Sequence, residues 1–135
     1  MSSNIIVSYP AADIDRSAAF YTGLGMTINP DLTDEQNACF AWDDNLQFML
    51  MRRDIMAGFT EKELGDPATT AQVQISISCE SREQVDEVSE AGLAAGGTEA
   101  GDPLDLGFMY SRDVEDPDGN NLCFMYGAPP TETQA

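Results

Sequence analysis

The hydrophobic positions of the chain switch between strand-like and helix-like spacing. Residues 4–9 (NIIVSY) are apolar and β-branched and run into Pro10, which predicts a strand ending there. Across residues 13–26, apolar side chains recur at helical spacing after a capping Asp13, and glycines close the segment. Three short apolar runs follow, separated by turn residues: MTINPDLT, NACFAWDD and NLQFMLMRR. This half of the chain therefore predicts a βαβββ unit.

The second half repeats the same order. Residues 71–79 (AQVQISISC) alternate as a strand, and residues 81–97 predict a helix that opens with a capping box of Ser81 and Gln84. Three more strand candidates follow: TEAGDPL, GFMYSRDV and NLCFMY. Between the halves lies a polar segment in which residues 60–64 offer at most one or two helical turns.

This repetition predicts one α+β domain built from two βαβββ modules. The segments NLQFML and NLCFMY close the two halves, which supports an internal duplication. We expect a single domain over residues 1–135, with module one at about 1–53, a linker at about 54–70, module two at about 71–127 and a C-terminal tail at 128–135.

The charge of the chain restricts its partners. Against 24 acidic residues stand 6 basic ones, a formal charge of −18. Such a field repels nucleic acid and anionic membrane surfaces, so neither is an expected partner. The negative charge fits a solvated, salt-tolerant surface suited to a salty cytoplasm. The alternative is that the ligand is a cation. The N-terminus lacks the basic and apolar regions of a signal peptide, which predicts a cytoplasmic protein.

Histidine is absent, and the three cysteines are widely spaced. The first fact removes Ser-His and Cys-His nucleophilic pairs and His-ligated metals from consideration. The second gives a poor disulfide framework and a poor zinc site. The cysteine pattern favours a reduced compartment.

Several structural motifs together resemble the vicinal oxygen chelate superfamily, which includes glyoxalases, bleomycin-resistance proteins and extradiol dioxygenases. They are the opening strand IIVSYP, the helix residues Asp13, Arg16, Ser17, Phe20, Tyr21, Leu24 and Gly25, the helix end Ala94-Ala95-Gly96-Gly97 and the turn Glu115-Asp116-Pro117-Asp118-Gly119-Asn120. The resemblance is to its small, glyoxalase-like bacterial members and implies a cup-shaped mixed sheet with helices packed outside. By position, its metal ligands would fall at Ser8, Gln47 (or Met49, if the strand slips), Gln74 and Cys123.

Those four positions hold poor ligands for a divalent ion, since hard cations prefer carboxylates and soft ones prefer several thiolates or imidazoles. We therefore expect no metal and no cofactor. The residues expected to bind a ligand are Ser8, Phe40, Trp42, Gln47, Met49, Gln74, Tyr110 and Cys123. Core packing is the alternative for the aromatic residues and methionines, and solvent exposure is the alternative for the glutamines.

Two further groups of residues have both a functional and a structural interpretation. Cys123 is either a nucleophile or a small buried side chain. Arg52, Arg53 and Arg112 either hold a ligand oxyanion or pair with acidic residues. Acidic pairs such as Asp116 and Asp118 occupy turns, where aspartate is favoured for backbone reasons.

The leading functional prediction is a metal-independent, homodimeric small-molecule binding protein of the glyoxalase/bleomycin-resistance type. The alternatives are a lyase or isomerase that uses Cys123 or an acid such as Glu115, and a non-catalytic interaction module.

Overall fold

The computed structural model describes residues 3–127. The chain folds as two compact units, one ending at Asp66 and the other beginning at Pro67. The predicted tail at 128–135 and the first two residues of predicted module one lie outside the described residues. Within residues 3–127, no helix is both long enough and apolar enough to cross a membrane.

The first unit is a four-stranded mixed sheet with a helix on one face. Its elements are β1 (Ile5–Ala11), α1 (Ile14–Gly23), β2 (Thr27–Ile28), a 3₁₀ turn (Pro30–Leu32), β3 (Asn37–Asp43), β4 (Leu46–Arg52) and α2 (Arg53–Ala57). The strand order is β1-β4-β3-β2, with β1 parallel to β4 and the other pairs antiparallel.

The second unit repeats this plan. Its elements are β5 (Gln74–Ser78), α3 (Arg82–Ala94), β6 (Thr98–Glu99), β7 (Leu104–Asp105), β8 (Met109–Glu115) and β9 (Asn121–Gly127). The strand order is β5-β9-β8-β6, with β7 also paired to β8, and β5 is parallel to β9. The predicted α+β class with two βαβββ modules is confirmed, although the segment TEAGDPL forms two short strands instead of one.

The caps predicted for the two long helices are present. The Asp13 carboxylate accepts a hydrogen bond from the Arg16 backbone N–H at 3.1 Å and so begins α1. The Ser81 hydroxyl accepts from the Gln84 backbone N–H at 3.0 Å. The Gln84 side chain accepts from the backbone N–H of Glu80 at 2.6 Å, one residue before the cap.

Each helix covers one face of its own sheet with apolar side chains. In the first unit, the Tyr21 ring of α1 lies 5.8 Å from Phe40 and 5.5 Å from Phe48 between ring centroids. In the second, Val85 and Val88 of α3 are buried on the side that contacts β8 and β9. The opposite face of each sheet is therefore not covered by its helix.

Two local features differ from what the sequence suggested. The strand β1 continues one residue beyond Pro10 to Ala11, because β1 is an edge strand and an edge tolerates a residue without an N–H. Residues 60–64, for which the sequence allowed at most one or two helical turns, form no helix, and an unpredicted helix forms at Arg53–Ala57. Because a five-residue helix is too short to be stable alone, packing of α2 against β1 and β4 decides its position.

Candidate functional site

The second sheet presents an ordered set of side chains on the face opposite α3. Residues paired on neighbouring strands point to the same side of a sheet, and alternate residues point to opposite sides. Three rows cross β5, β9 and β8 on this side: Gln74–Asn121–Glu115, Ser76–Cys123–Asp113 and Ser78–Met125–Ser111. We call these nine residues the polar face.

Asp113 lies at the centre of the polar face. Its Oδ1 accepts from the Gln74 side-chain amide at 3.4 Å. Cys123 lies opposite Asp113 on one side and opposite Ser76 of β5 on the other, and Ser111 lies two residues before Asp113 on the same face. One carboxylate, one thiol and three neutral polar side chains are thus neighbours on this face.

The surroundings of Cys123 keep its thiol protonated. Burial, followed by the hydrogen bond to Asp113 and the charge of that carboxylate, raises the pKa of the Cys123 thiol to about 11, although Ser76 and Ser111 oppose the rise. The thiolate is the nucleophilic form of cysteine. At neutral pH this side chain is therefore a hydrogen-bond donor, which counts against the interpretation of Cys123 as a nucleophile.

Replacing Asp113 with asparagine should make Cys123 more reactive. The change removes a negative charge beside the sulfur and so lowers the pKa of the thiol. We expect alkylation of Cys123 by iodoacetamide at pH 8 to become about three- to tenfold faster, as measured by mass spectrometry of the Cys123 peptide. Cys39, which is buried in the first unit, is the internal control and should keep its rate. Unchanged Cys123 reactivity in Asp113→Asn would show that Asp113 does not control the thiol.

The first sheet has a corresponding set of side chains on the face opposite α1. Its three rows cross β1, β4 and β3: Ile6–Gln47–Ala41, Ser8–Met49–Cys39 and Pro10–Met51–Asn37. We call these nine residues the methionine face. The Cys39 thiol donates to the Gln47 side-chain oxygen at a sulfur–oxygen distance of 3.7 Å. None of the nine carries a charge, unlike the polar face.

The eight residues predicted to bind a ligand fall into three groups. Ser8, Gln47 and Met49 lie on the methionine face, and Gln74 and Cys123 lie on the polar face. Trp42 lies at a bulge between Ala41 and Asp43, where strand pairing assigns it to neither side. A ligand-binding role for these six residues stays a prediction.

Phe40 and Tyr110 lie on the sides of the sheets that the helices cover. Phe40 is fully buried against Tyr21 of α1, and the Tyr110 hydroxyl donates to Asp86 of α3 at 2.6 Å. Both residues are one position out of step with the open faces, since strand side chains alternate. They therefore do not join the other predicted residues on those faces.

Arg112 pairs with acidic residues on the α3 side of the second sheet. Its guanidinium lies 3.1 Å from Asp86, 2.6 Å from Glu90 and 3.1 Å from Glu99 between nitrogen and oxygen atoms. The arginine side chain is 8% exposed, and its three partners hold its pKa above the usual range despite its burial. This geometry supports the ion-pair interpretation of Arg112.

Arg52 and Arg53 also have partners within the first unit. Arg52 forms a two-pronged contact with Asp54, with a shortest distance of 2.6 Å, at side-chain exposures of 44% and 61%. The Arg53 guanidinium donates to the backbone carbonyl of Leu64 at 3.5 Å. These contacts occupy donors that the sequence had suggested for a ligand oxyanion.

The residues at the four positions that the resemblance assigns to metal ligands do not fit a divalent ion. Ser8 and Gln47 contribute a hydroxyl and an amide in the first unit, while Gln74 and Cys123 contribute an amide and a protonated thiol in the second. Tight divalent sites need several carboxylates, imidazoles or thiolates. Among residues 3–127, no three cysteine or acidic side chains lie close enough together to hold a metal.

A cavity of about 280 Å³ lies at the start of α1, away from the predicted ligand residues. It is lined by Ala12, Asp13, Ile14, Asp15, Asp34, Glu35 and Arg52. Asp13 caps α1, and Asp34 accepts from the backbone N–H groups of Gln36 and Asn37 at 2.8 and 3.0 Å. These two carboxylates hold the local backbone, so we do not assign the cavity to ligand binding.

Sequence reasoning missed Ser76, Ser111 and Asp113. Alternation along AQVQISISC places Ser76 on the same side of its strand as Gln74, whereas Tyr110, the residue predicted in GFMYSRDV, lies on the opposite side from Ser111 and Asp113. The signal that they meet at Cys123 is the pairing between strands far apart in the chain, which local patterns do not contain.

Comparisons with known proteins agree with this architecture. The family model described as bleomycin resistance protein-like N-terminal matches residues 6–41. No curated protein sequence matches the chain significantly.

Three solved structures illustrate the likeness in fold. A glyoxalase-related enzyme from Fulvimarina pelagi has a TM-score of 0.79 at 14% identity over 94% of this chain and 89% of its own. A glyoxalase/bleomycin resistance protein/dioxygenase family enzyme from Burkholderia phytofirmans has a TM-score of 0.76 at 16% identity over 94% of this chain and 100% of its own. Lactoylglutathione lyase from Agrobacterium tumefaciens has a TM-score of 0.67 at 18% identity over 94% of this chain and 95% of its own.

The architecture is that of an α+β protein with two mixed sheets, each in βαβββ order and each covered by a helix on one face. The chain has the vicinal oxygen chelate fold, and the resemblance to that superfamily is confirmed. At these identities the structural likeness establishes the fold, and the chemistry has to be argued from the residues of this chain.

Proposed function

We propose that the protein binds a small organic molecule on its polar face without a metal ion. The observation that carries this proposal is the group around Asp113, whose carboxylate accepts from Gln74 at 3.4 Å and which lies opposite Cys123 across β8 and β9. Binding sites fix their ligands with a few placed polar groups among less polar surroundings. The glyoxalase and bleomycin-resistance names of proteins with the same fold support a small-molecule ligand.

Binding is favoured over turnover by the state of the polar side chains. The thiol is protonated at neutral pH, and histidine is absent from the chain. One observation favours the lyase or isomerase alternative: Glu115 lies on the polar face, in the row of Gln74 and Asn121. A carboxylate there is a candidate general base.

If the protein binds its ligand without a metal, a chelator should have no effect on it. We expect elemental analysis to find well under one zinc, nickel or manganese per chain after purification. The reason is that Ser8, Gln47, Gln74 and Cys123, at the positions that the resemblance assigns to metal ligands, are unsuitable donors. Added zinc, nickel or manganese should shift the melting temperature no more than an equal ionic strength of sodium chloride. About one metal per chain, lost in Cys123→Ser, would contradict the proposal.

Small-molecule binding itself is tested in the presence of a chelator. A set of organic compounds screened by thermal shift should include stabilising ligands, and the shift should decrease in Gln74→Ala. Gln72→Ala is the matched control, because Gln72 is exposed and precedes β5. Stabilisation that requires added metal, or that is equal in both variants, would count against binding at the polar face.

We also propose a cytoplasmic homodimer, with β1 as part of the contact. Ile5 and Ile6 on this edge strand are 64% and 57% exposed, and apolar edge strands favour pairing with another chain. Light scattering at tens of micromolar protein should give twice the chain mass, and Ile5→Glu should shift it towards the monomer. Phe59→Glu is the control, because Phe59 is 76% exposed but lies outside the sheet. A monomeric parent protein would exclude the dimer.

A further inference from the structure

The described basic residues of the second unit lie on one side of its sheet, whereas acidic residues lie on both sides. The basic residues among its described residues are Arg82 and Arg112, and both lie on the α3 side. Arg82 pairs with Asp105 and lies 4.4 Å from the centroid of the Tyr110 ring, while Arg112 pairs with three acids. The polar face carries Asp113 and Glu115 and no basic side chain.

The hydrogen-bond acceptors of the polar face favour a ligand that donates hydrogen bonds. Asp113 and Glu115 are hydrogen-bond acceptors, and both are only partly exposed. In the row of Glu115, the Asn121 side-chain oxygen is shielded from solvent and has no hydrogen-bond donor among the described residues. A buried acceptor without a donor is unfavourable, and a donor on a ligand that enters this row would satisfy it.

We infer that the ligand of the polar face is an organic cation, a protonated amine joined to an apolar body. The ammonium would lie between Asp113 and Glu115 and donate to their carboxylates, and Met125 offers an adaptable apolar contact in the next row. Two carboxylates without a basic neighbour on the face repel anionic ligands. This inference rests on the proposed binding function and specifies its ligand class.

The experiment compares three probes that share one apolar body: 4-phenylbutylamine, 4-phenylbutanol and 4-phenylbutyrate. At pH 7 they present an ammonium, a hydroxyl and a carboxylate. In calorimetric titrations we expect the amine to bind at least tenfold more tightly than the alcohol, and the carboxylate not to bind. Salt at 0.15 M limits the reach of distant charges to about 8 Å.

Matched variants separate the polar face from the general acidity of the chain. Asp113→Asn, Glu115→Gln and the control Glu87→Gln each remove one negative charge, and Glu87 is exposed on α3, beyond the other face of the sheet. Asp113→Asn and Glu115→Gln should each reduce the preference for amine over alcohol to about threefold or less. Glu87→Gln should leave the preference unchanged.

The outcomes distinguish this inference from the binding function. Equal binding of amine and alcohol, or a preference unchanged in both Asp113→Asn and Glu115→Gln, overturns the organic cation. If none of the three probes binds and the thermal-shift screen finds no ligand, the binding function fails as well. Glu115→Gln keeps the test decisive if Asp113→Asn lowers the melting temperature too far for titration.

Discussion

Replacing Arg112 with methionine is expected to lower the free energy of unfolding by about 3 kcal/mol. Methionine keeps most of the apolar stem but removes the buried charge that lies between Asp86, Glu90 and Glu99. The three carboxylates then repel one another on one side of the second sheet. Urea denaturation at neutral pH measures the change.

Arg52→Met is the matched control for this effect. Arg52 makes a two-pronged contact of similar length with Asp54, but both side chains of that pair are well exposed. Exposed pairs contribute little, so the expected loss is below about 1 kcal/mol. Equal losses in the two variants would show that burial of Arg112 does not set the strength of its cluster. Adding Glu90→Gln to Arg112→Met should recover part of the loss by relieving repulsion.

Gly119→Ala is expected to destabilise the protein by about 2–4 kcal/mol. Gly119 has a φ of +106°, a conformation that residues with a Cβ adopt at a cost. An added Cβ would also lie 2.7 Å from the backbone oxygen of Pro67, which a side-chain movement cannot relieve. Thermal and denaturant unfolding would both report the loss.

Gly25→Ala separates these two causes. Gly25 has almost the same φ, +108°, and a Cβ added there would meet no described atom within 4 Å beyond its chain neighbours. The expected cost is therefore that of the backbone conformation alone, about 1–2 kcal/mol. If Gly119→Ala cost no more than Gly25→Ala, the close approach of Pro67 would have no energetic consequence.

The parts of the fold predicted from sequence are those that local rules determine. Asp13 and Ser81 begin helices because a cap acts within three residues, and alternation places Gln74 and Cys123 on one side of their sheet. The same rule could have excluded Tyr110, which lies one position out of step with Ser111 and Asp113. Its inclusion followed from composition alone, without regard to alternation.

The parts that could not be predicted depend on contacts between distant segments. The meeting of Ser76 with Cys123 requires the parallel register of β5 with β9, which no local pattern specifies. The three partners of Arg112 come from α3 and β6, and any of 24 acidic residues was an equal candidate in the sequence. The place of α2 likewise depends on packing against strands formed elsewhere.

The single tryptophan makes the two halves of the chain optically distinguishable. Trp42 is the single tryptophan of the sequence and lies in the first unit, at the end of β3. Its fluorescence therefore reports the unfolding of that unit, whereas circular dichroism reports the helices of both. Coincident transitions would mean that the two units unfold cooperatively, and an earlier fluorescence change would mean that the second unit can stay folded when the first has unfolded.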